Sequence, residues 1–201
     1  MTVIGITGPT GAGKTTVLKE IEALGGAVID CDAVYHEMLE SDRSLQESLE
    51  RAFGPLRDGQ GAIDRKKLGA LVFGDPAKLE RLNAIAQRAV VQRTRQMVKE
   101  NRSRGIGLTA IDAFALLESG LADLCTTTVA VLAPAEARVA RIMARDGIPE
   151  EYARLRVRAQ KDEAFYRAHC TDVLVNDCGS AAAFTEKARQ ALETILKEER
   201  A

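Results

Sequence analysis

One stretch near the start of the chain restricts its possible folds more than any other. An apolar run from Val3 to Ile6 leads into Gly8-Pro9-Thr10-Gly11-Ala12-Gly13-Lys14-Thr15-Thr16, and a helical pattern follows. The spacing G-x-x-x-x-G-K-[ST] is that of a P-loop, whose glycines let the backbone curl until its N–H groups form a nest for phosphate oxygens. The sequence therefore predicts a strand, a phosphate-binding loop and a helix, in that order. The alternative is a glycine-rich turn before an ordinary helix.

The residues of this loop have distinct predicted tasks. Lys14 is expected to reach the β- and γ-phosphates of a nucleotide. Thr15 stands at the start of the helix, where the helix dipole favours anions, and its hydroxyl is expected to bind Mg²⁺. The predicted nucleotide-binding residues of the loop are Gly8, Gly11, Ala12, Gly13, Lys14, Thr15 and Thr16.

Composition narrows the class of protein further. With 201 residues, 46% of them apolar, the chain is expected to form one main domain with room for a small subdomain. A formal net charge of −1 gives no general attraction to nucleic acid or to anionic membranes. Four cysteines without a C-x-x-C pair favour reduced thiols over a zinc site or disulfides. With no long apolar run, we expect a soluble, cytoplasmic protein.

A pair of acids follows the second predicted strand, Ala27-Val28-Ile29. In α/β sheets, ligands bind beyond the carboxyl ends of the strands, and this is where Asp30 and Asp32 fall. Beside a phosphate site they could coordinate Mg²⁺ or remove a proton from an attacking hydroxyl group. The alternative is that Asp32 only caps the next helix. The neighbouring P-loop favours a functional role for Asp32, with Asp30 as its support.

A long helical region separates this strand from the next one. Residues 44–105 read as helices with breaks at Gly54-Pro55, Asp58-Gly59 and Gly74-Asp75-Pro76, where Asp75 caps a helix that begins at Pro76. The insertion is too large for a simple crossover, so residues of about 35–105 are predicted to form a helical subdomain on the substrate side. Its basic residues are by default a solvated face, of which a few at most should meet an anionic substrate: Arg65, Lys66, Lys67, Arg88, Arg93 and Arg95.

The third predicted strand, from Leu108 to Ile111, ends in Asp112. This is a Walker-B-like arrangement, in which a carboxylate at a strand end approaches Mg²⁺ or a bound water. One acid after a strand is common. Asp112 is therefore only a further candidate for binding Mg²⁺, in addition to Thr15.

An arginine-rich helix follows the fourth predicted strand, Thr128 to Ala133. Arg138, Arg141 and Arg145 are three and four residues apart and share one side of this helix, which Gly147 ends. They form either a solvated charged face or a lid, about residues 138–160, whose guanidinium groups close over a triphosphate. A helix is predicted to restart at Pro149 and run through Gln160. A last strand, Val173-Leu174-Val175, leads into Asn176-Asp177 and a closing helix.

Six segments occur along nearly the whole chain in a specific order: the P-loop, Val28-Ile29-Asp30-Cys31-Asp32, Ile63-Asp64-Arg65 through Val72-Phe73-Gly74-Asp75-Pro76, Glu118-Ser119-Gly120-Leu121, Arg141 through Arg145-Asp146-Gly147, and Ala159-Gln160. This series resembles the dephospho-coenzyme A kinase family. The resemblance implies one α/β domain over residues 1–201 with the P-loop NTPase fold of the nucleoside-monophosphate-kinase type. It also implies a parallel sheet of about five strands, a helical coenzyme-side region and a lid.

The same resemblance implies a reaction and roles for particular residues. The reaction is ATP-dependent phosphorylation of the ribose 3′-hydroxyl of dephospho-CoA to give coenzyme A, with Mg²⁺ as cofactor. Asp32 matches the family's catalytic aspartate, and Lys14, Arg141 and Arg145 join it as catalytic candidates. Asn176 and Asp177 lie at the adenine end, and either could contact the base. Neither an obligate protein partner nor a nucleic acid is implied.

The chain departs from the family pattern at three places. Ala86-Gln87-Arg88 stands where the family usually has a His-Pro pair, so a substrate-side contact is lost or remade. Phe114-Ala115-Leu116-Leu117 replaces a Pro-Leu-Leu-Phe-like run, and Asn176-Asp177 reverses the commoner order. These changes bear on substrate affinity more than on reaction type. Another small-molecule P-loop kinase, or a nucleotide-dependent switch or assembly ATPase, stays as an alternative, although Asp32 and the arginines favour transfer to a hydroxyl.

Overall fold

A computed structural model of the chain describes residues 1–199. Its strands are β1 (Thr2–Thr7), β2 (Ala27–Asp30), β3 (Leu108–Asp112), β4 (Thr127–Leu132) and β5 (Asp172–Val175). Its helices are α1 (Lys14–Ala23), α2 (Cys31–Ser41), α3 (Arg43–Phe53), α4 (Arg65–Val72), α5 (Pro76–Ser103), α6 (Ala135–Asp146), α7 (Glu150–Arg158), α8 (Glu163–His169) and α9 (Ala181–Glu198), with a 3₁₀ turn at Leu121–Leu124.

The five strands form one parallel sheet in the order β2-β3-β1-β4-β5. The parallel sheet of about five strands that the family resemblance implies is confirmed. β1 lies at its centre, with Ile6 beside Asp112 of β3 and Thr7 beside Ala130 of β4. Leu132 of β4 lies beside Val175 of β5. Because β1 is paired on both sides, its carboxyl end is held firmly where the P-loop begins.

The chain divides into two compact units. The first contains Met1–Ile29 and the chain from Val98 onward, and its core lies between the sheet and the helices α1 and α9. The sequence pattern explains this packing, since apolar residues of both helices recur every three or four positions and are buried. The buried residues of this core include, from the strands β1 and β4 and the helices α1 and α9, Ile4, Ile6, Val17, Ile21, Val129, Val131, Phe184, Ala188, Leu192 and Ile195.

The second unit is Asp30–Met97 and is helical. Its buried residues come from α2, α3, α4, α5 and the connection between α3 and α4, among them Met38, Leu39, Leu45, Leu49, Leu56, Ile63, Leu68, Val72 and Val90. The breaks after α3 and before α5 fall where the sequence predicts them. Gly54 ends α3 with φ 86°. Asp75 Oδ1 accepts hydrogen bonds from the N–H groups of Ala77 and Lys78 at the start of α5.

Two details near residue 160 differ from the sequence prediction. The helix predicted to run through Gln160 ends at Arg158, and α8 follows after a short connection. Asp162 caps α8 by accepting a hydrogen bond from Phe165 N. An aspartate at this position is a typical start of a helix, and the sequence prediction did not use it. The short connection leaves the Gln160 side chain outside a helix. Over residues 1–199, no helix is both long enough and apolar enough to cross a membrane.

Candidate active site

The P-loop joins the end of β1 to the start of α1. Gly8, Gly11 and Gly13 have φ values of 133°, 79° and 114°, which L side chains rarely adopt. A Cβ at Gly11 would lie 2.9 Å from the Arg138 carbonyl oxygen, and a Cβ at Gly13 would lie 2.7 Å from Asn176 Nδ2. Both the backbone conformation and the close neighbours therefore require glycine at these positions.

The carbonyl oxygens of the loop point to donors around it. Lys14 Nζ donates to Gly8 O at 2.7 Å, and Ala12 N donates to Pro9 O at 3.3 Å. The other donors come from elsewhere in the same unit: Arg138 Nε to Thr10 O at 3.0 Å, Arg141 Nη1 to Gly11 O at 3.0 Å, and Asn176 Nδ2 to Ala12 O at 2.9 Å.

These bonds also orient the amides of the loop. In a planar trans peptide, the C=O of one residue and the N–H of the next point in opposite directions. The hydrogen bond from Arg138 to Thr10 O therefore makes the N–H of Gly11 point away from Arg138. In the same way, the hydrogen bond from Asn176 to Ala12 O makes the N–H of Gly13 point away from Asn176. Neither glycine N–H donates to a protein acceptor among residues 1–199. With the N-terminus of α1, they form a cradle that fits a phosphate group.

Hard oxygen atoms lie near this cradle. Thr15 is exposed in the first turn of α1. Asp112 is the last residue of β3, and the Ile6 beside it is only two residues before Gly8. Mg²⁺ is usually bound by one or two protein oxygens together with phosphates and water. A hydroxyl and a carboxylate at this end of the sheet fit such an ion.

The three arginines of α6 have different surroundings. Arg138 is buried, with 8% of its surface exposed, and burial lowers the pKa of its guanidinium. Arg141 is half-buried against the loop. Arg145 is exposed and pairs with Asp146, with Nε to Oδ1 at 2.7 Å, and it holds the pKa of that carboxyl below its ordinary value. The structure thus brings Arg138 and Arg141 to the P-loop and pairs Arg145 with its neighbour in the chain.

Asn176 and Asp177 follow β5 but have different partners. Asn176 is 6% exposed, and besides its side-chain bond to Ala12 it donates from its backbone N to Leu132 O at 2.7 Å. Asp177 is exposed and accepts from Lys187 Nζ at 2.8 Å, and this hydrogen bond lowers the pKa of Asp177. Asn176 is therefore a support of the loop, while Asp177 lies at the surface.

Gln160 contacts the loop at Thr10, and neither residue was assigned a role from the sequence. Gln160 Oε1 accepts from Thr10 N at 3.1 Å, and Gln160 Nε2 donates to Thr10 Oγ1 at 2.9 Å. The pair is separated by 150 residues, so no local pattern indicates it. The available signal was the Ala159-Gln160 segment of the family pattern.

Asp32 belongs to the helical unit. Asp30 caps α2, because its Oδ1 accepts from Asp32 N at 2.9 Å and from Ala33 N at 3.0 Å. The alternative that Asp32 caps this helix is therefore wrong. Asp32 is exposed in the first turn of α2, and its side chain is not used for capping.

A cavity of about 510 Å³ lies between α2, α3 and α5 within the helical unit. Three arginines line it, Arg51, Arg88 and Arg93, against one acid, Asp42. Arg88 is the last residue of the segment that departs from the family's His-Pro pair. The cavity has the charge to receive an anionic group.

Comparisons with known proteins agree with this geometry. The profile of the dephospho-CoA kinase family matches residues 2–182. The dephospho-CoA kinase of Thermobifida fusca is 32% identical over 198 residues, which cover 98% of each chain. The solved structure of dephospho-CoA kinase from Campylobacter jejuni has a TM-score of 0.72 at 22% identity and covers 98% of each chain.

A wider likeness supports the fold alone. Shikimate kinase from Acinetobacter baumannii, solved with shikimate, has a TM-score of 0.55 at 18% identity and covers 98% of this chain and 94% of its own. The sheet and P-loop are thus those of P-loop kinases, and the family match extends over nearly the whole chain. This chain belongs to the dephospho-CoA kinase family of transferases.

Proposed function

We propose that this protein transfers the γ-phosphoryl group of ATP to the ribose 3′-hydroxyl of dephospho-CoA, giving coenzyme A and ADP. The observation that carries the proposal is the P-loop whose carbonyl oxygens are held by Arg138, Arg141 and Asn176, in a chain of this family. Kinase catalysis consists largely of positioning and charge stabilisation, and a loop fixed in this way supplies both.

The nucleotide phosphates are assigned to the loop. The N–H groups of Gly11 and Gly13 and the N-terminus of α1 bind phosphate oxygens, and Lys14 moves its ammonium from Gly8 O to the β- and γ-phosphates. Thr15 would hold Mg²⁺ with Asp112 nearby, and a bound Mg²⁺ neutralises charge on the phosphate oxygens. Arg141, already beside the loop, adds positive charge as the γ-phosphoryl group leaves, and Arg145 would have to leave Asp146 to do so.

Asp32 is assigned to the acceptor hydroxyl. Its carboxylate orients the 3′-hydroxyl towards the γ-phosphate and accepts its proton as the new P–O bond forms. Two observations support this role: Asp32 is the second residue after β2, and Asp30 caps α2, which leaves the Asp32 side chain out of the cap. Asp177, rather than the buried Asn176, is then available to contact the adenine base.

The arginine-lined cavity of the helical unit is assigned to the anionic part of the acceptor. Dephospho-CoA carries a pyrophosphate group, and arginine is well suited to bind phosphate. Arg88 and Arg93 line the cavity, and Arg88 would remake the contact that the family's His-Pro pair provides.

The proposal is tested by ADP release from ATP in the presence and absence of dephospho-CoA, with coenzyme A identified by mass. ADP release that depends on dephospho-CoA, with one coenzyme A formed per ADP, is the expected result. Equal release without the acceptor, or release that depends on a second protein, would favour a switch ATPase. Release with another small hydroxyl compound alone would favour a different kinase. A cytoplasmic location without an obligate protein partner remains part of the proposal.

A further inference from the structure

Thr10, at the tip of the P-loop, is held at all of its polar atoms. Its N–H donates to Gln160 Oε1, its hydroxyl accepts from Gln160 Nε2, and its carbonyl accepts from Arg138 Nε. Arg138 and Gln160 are also joined to each other, with Arg138 Nη2 to Gln160 Oε1 at 2.5 Å. These three residues, which we call the Thr10 clamp, come from the loop, from α6 and from the connection between α7 and α8.

The charge in the clamp is unusual for its surroundings. The Arg138 guanidinium is buried, yet its partners are the neutral oxygens of Thr10 and Gln160, and no carboxylate pairs with it among residues 1–199. A buried charge without an opposite charge is costly. A purely structural contact could use an apolar side chain here at lower cost, so the retained charge indicates a ligand of opposite sign.

The neighbouring cradle supplies the place for that ligand. Arg138 holds Thr10 O, and this bond turns the N–H of Gly11 into the cradle. A triphosphate bound there would bring several negative charges near the Arg138 guanidinium, and at short range in a poorly solvated site their attraction is strong.

We propose that Arg138 and Gln160 are positioning residues for the nucleotide: the Thr10 clamp holds the P-loop in its phosphate-binding conformation, and the buried charge of Arg138 is balanced by the bound phosphates. The inference deepens the proposed function and rests on it only for the identity of the nucleotide. It assigns to α6 a task other than closing over the phosphates, namely holding the loop open to them beforehand.

The test is ATP binding by the full-length protein, measured by isothermal titration, together with the KM for each substrate. Arg138→Met removes the charge and the donors but keeps an unbranched side chain, and Thr10→Val removes only the hydroxyl. Both are expected to weaken ATP binding, Arg138→Met by about tenfold, as for loss of a hydrogen bond to a charged group. The KM for dephospho-CoA should not change. Thr10→Ser, which keeps the hydroxyl, should restore the affinity that Thr10→Val loses.

Gln160→Glu separates a positioning role from a structural one. It supplies a carboxylate to Arg138, and it leaves a contact to Thr10 Oγ1 possible because the threonine hydroxyl can donate to a carboxylate oxygen. If the clamp served stability alone, this variant would have a higher melting temperature and unchanged ATP affinity. The proposal predicts weaker ATP binding, because the charge of Arg138 is then already balanced before the phosphates bind.

Arg154→Met is the matched control. Arg154 lies on α7, is half-buried, and pairs with Glu136 and Glu150 rather than with the loop. Its loss should change ATP affinity by no more than about twofold. ATP affinity in Thr10→Val and Gln160→Glu equal to that of the wild type would overturn the proposal, even if Arg138→Met does not fold. Weakened ATP binding in a protein that does not phosphorylate dephospho-CoA would uphold the clamp and reject only the proposed function.

Discussion

Arg141 Nη1 donates a hydrogen bond to Gly11 O at 3.0 Å, within the P-loop itself. The guanidinium thus lies beside the phosphate cradle before any nucleotide binds. Arg145, one helical turn later, instead forms two hydrogen bonds to Asp146 and is exposed. Two arginines that share one side of a helix are therefore prepared to different degrees for contact with phosphates.

Arg141→Ala is expected to lower turnover strongly, because it removes a positive charge held at the loop, and Arg145→Ala is expected to lower it less. Thermal stability should change by about 0.5 kcal/mol or less for exposed Arg145. Steady-state kinetics with saturating ATP and dephospho-CoA give the comparison. Full activity in both variants would mean that these arginines have no part in transfer.

Lys14→Ala should abolish phosphoryl transfer almost completely while leaving the fold intact. The Lys14 side chain bonds to the loop at Gly8 O and is not part of the apolar core. The transition state loses a charge between the β- and γ-phosphates. Circular dichroism confirms folding, and ADP release gives the rate. Near-wild-type turnover would reject the P-loop assignment.

Arg88→Ala should raise the KM for dephospho-CoA by about tenfold and leave the KM for ATP unchanged, since it removes a charged donor from the cavity of the helical unit. Arg95→Ala is the matched control: Arg95 is exposed on the same helix and does not line the cavity. Equal effects of the two substitutions on the KM for dephospho-CoA would show that the cavity does not bind the acceptor.

Asp146 should make the joint between α6 and α7 sensitive to acid. Arg145 and Arg156 both bond to its carboxylate, with Arg156 Nη1 at 2.6 Å, and its pKa in the folded protein is lowered, chiefly by Arg145. A lowered pKa means that the stabilisation is present above the ordinary aspartate range, near pH 4, and is lost as the pH falls through the folded value. Asp146→Asn should therefore melt at a lower temperature than the wild type at pH 7. The difference in melting temperature between the two proteins should disappear below about pH 4. A difference that does not change with pH would contradict this account.

The strands and most helices could be predicted from the sequence because their signals are local. Asp75 and Pro76 start α5, Gly147 ends α6 in the left-handed conformation, and the spacing of Phe184 and Leu192 gives the buried face of α9. The P-loop was equally clear, since its glycines are needed for the backbone itself.

The contacts that shape the loop could not be predicted in this way. Thr10 and Gln160 are 150 residues apart, and Thr10 and Arg138 are 128 apart. Such pairs depend on how α6 packs on the sheet rather than on local spacing, so Arg138 was grouped with Arg141 and Arg145 by helical period alone. The cap of α2 could not be assigned either: capping by Asp32 was kept as an alternative, and only the backbone geometry shows that Asp30 is the cap.

Asp30 provides the control for the central residue. As the N-cap of α2, Asp30→Ala should cost about 1 kcal/mol of stability, whereas Asp32→Asn should cost almost nothing. Isothermal titration should also show unchanged ATP binding for Asp32→Asn, because the P-loop is untouched. Lost ATP binding would instead assign Asp32 to a metal or to the structure.

The rate of coenzyme A formation by Asp32→Asn, compared with the wild type at saturating ATP and dephospho-CoA, tests the central claim most directly. The substitution keeps the shape of the side chain but removes its charge and basicity, and general-base catalysis typically contributes about 10²–10⁴-fold. We predict that the wild type converts dephospho-CoA to coenzyme A and that Asp32→Asn does so at least about a hundredfold more slowly. Equal rates for the two proteins, or no coenzyme A from the wild type, would contradict it.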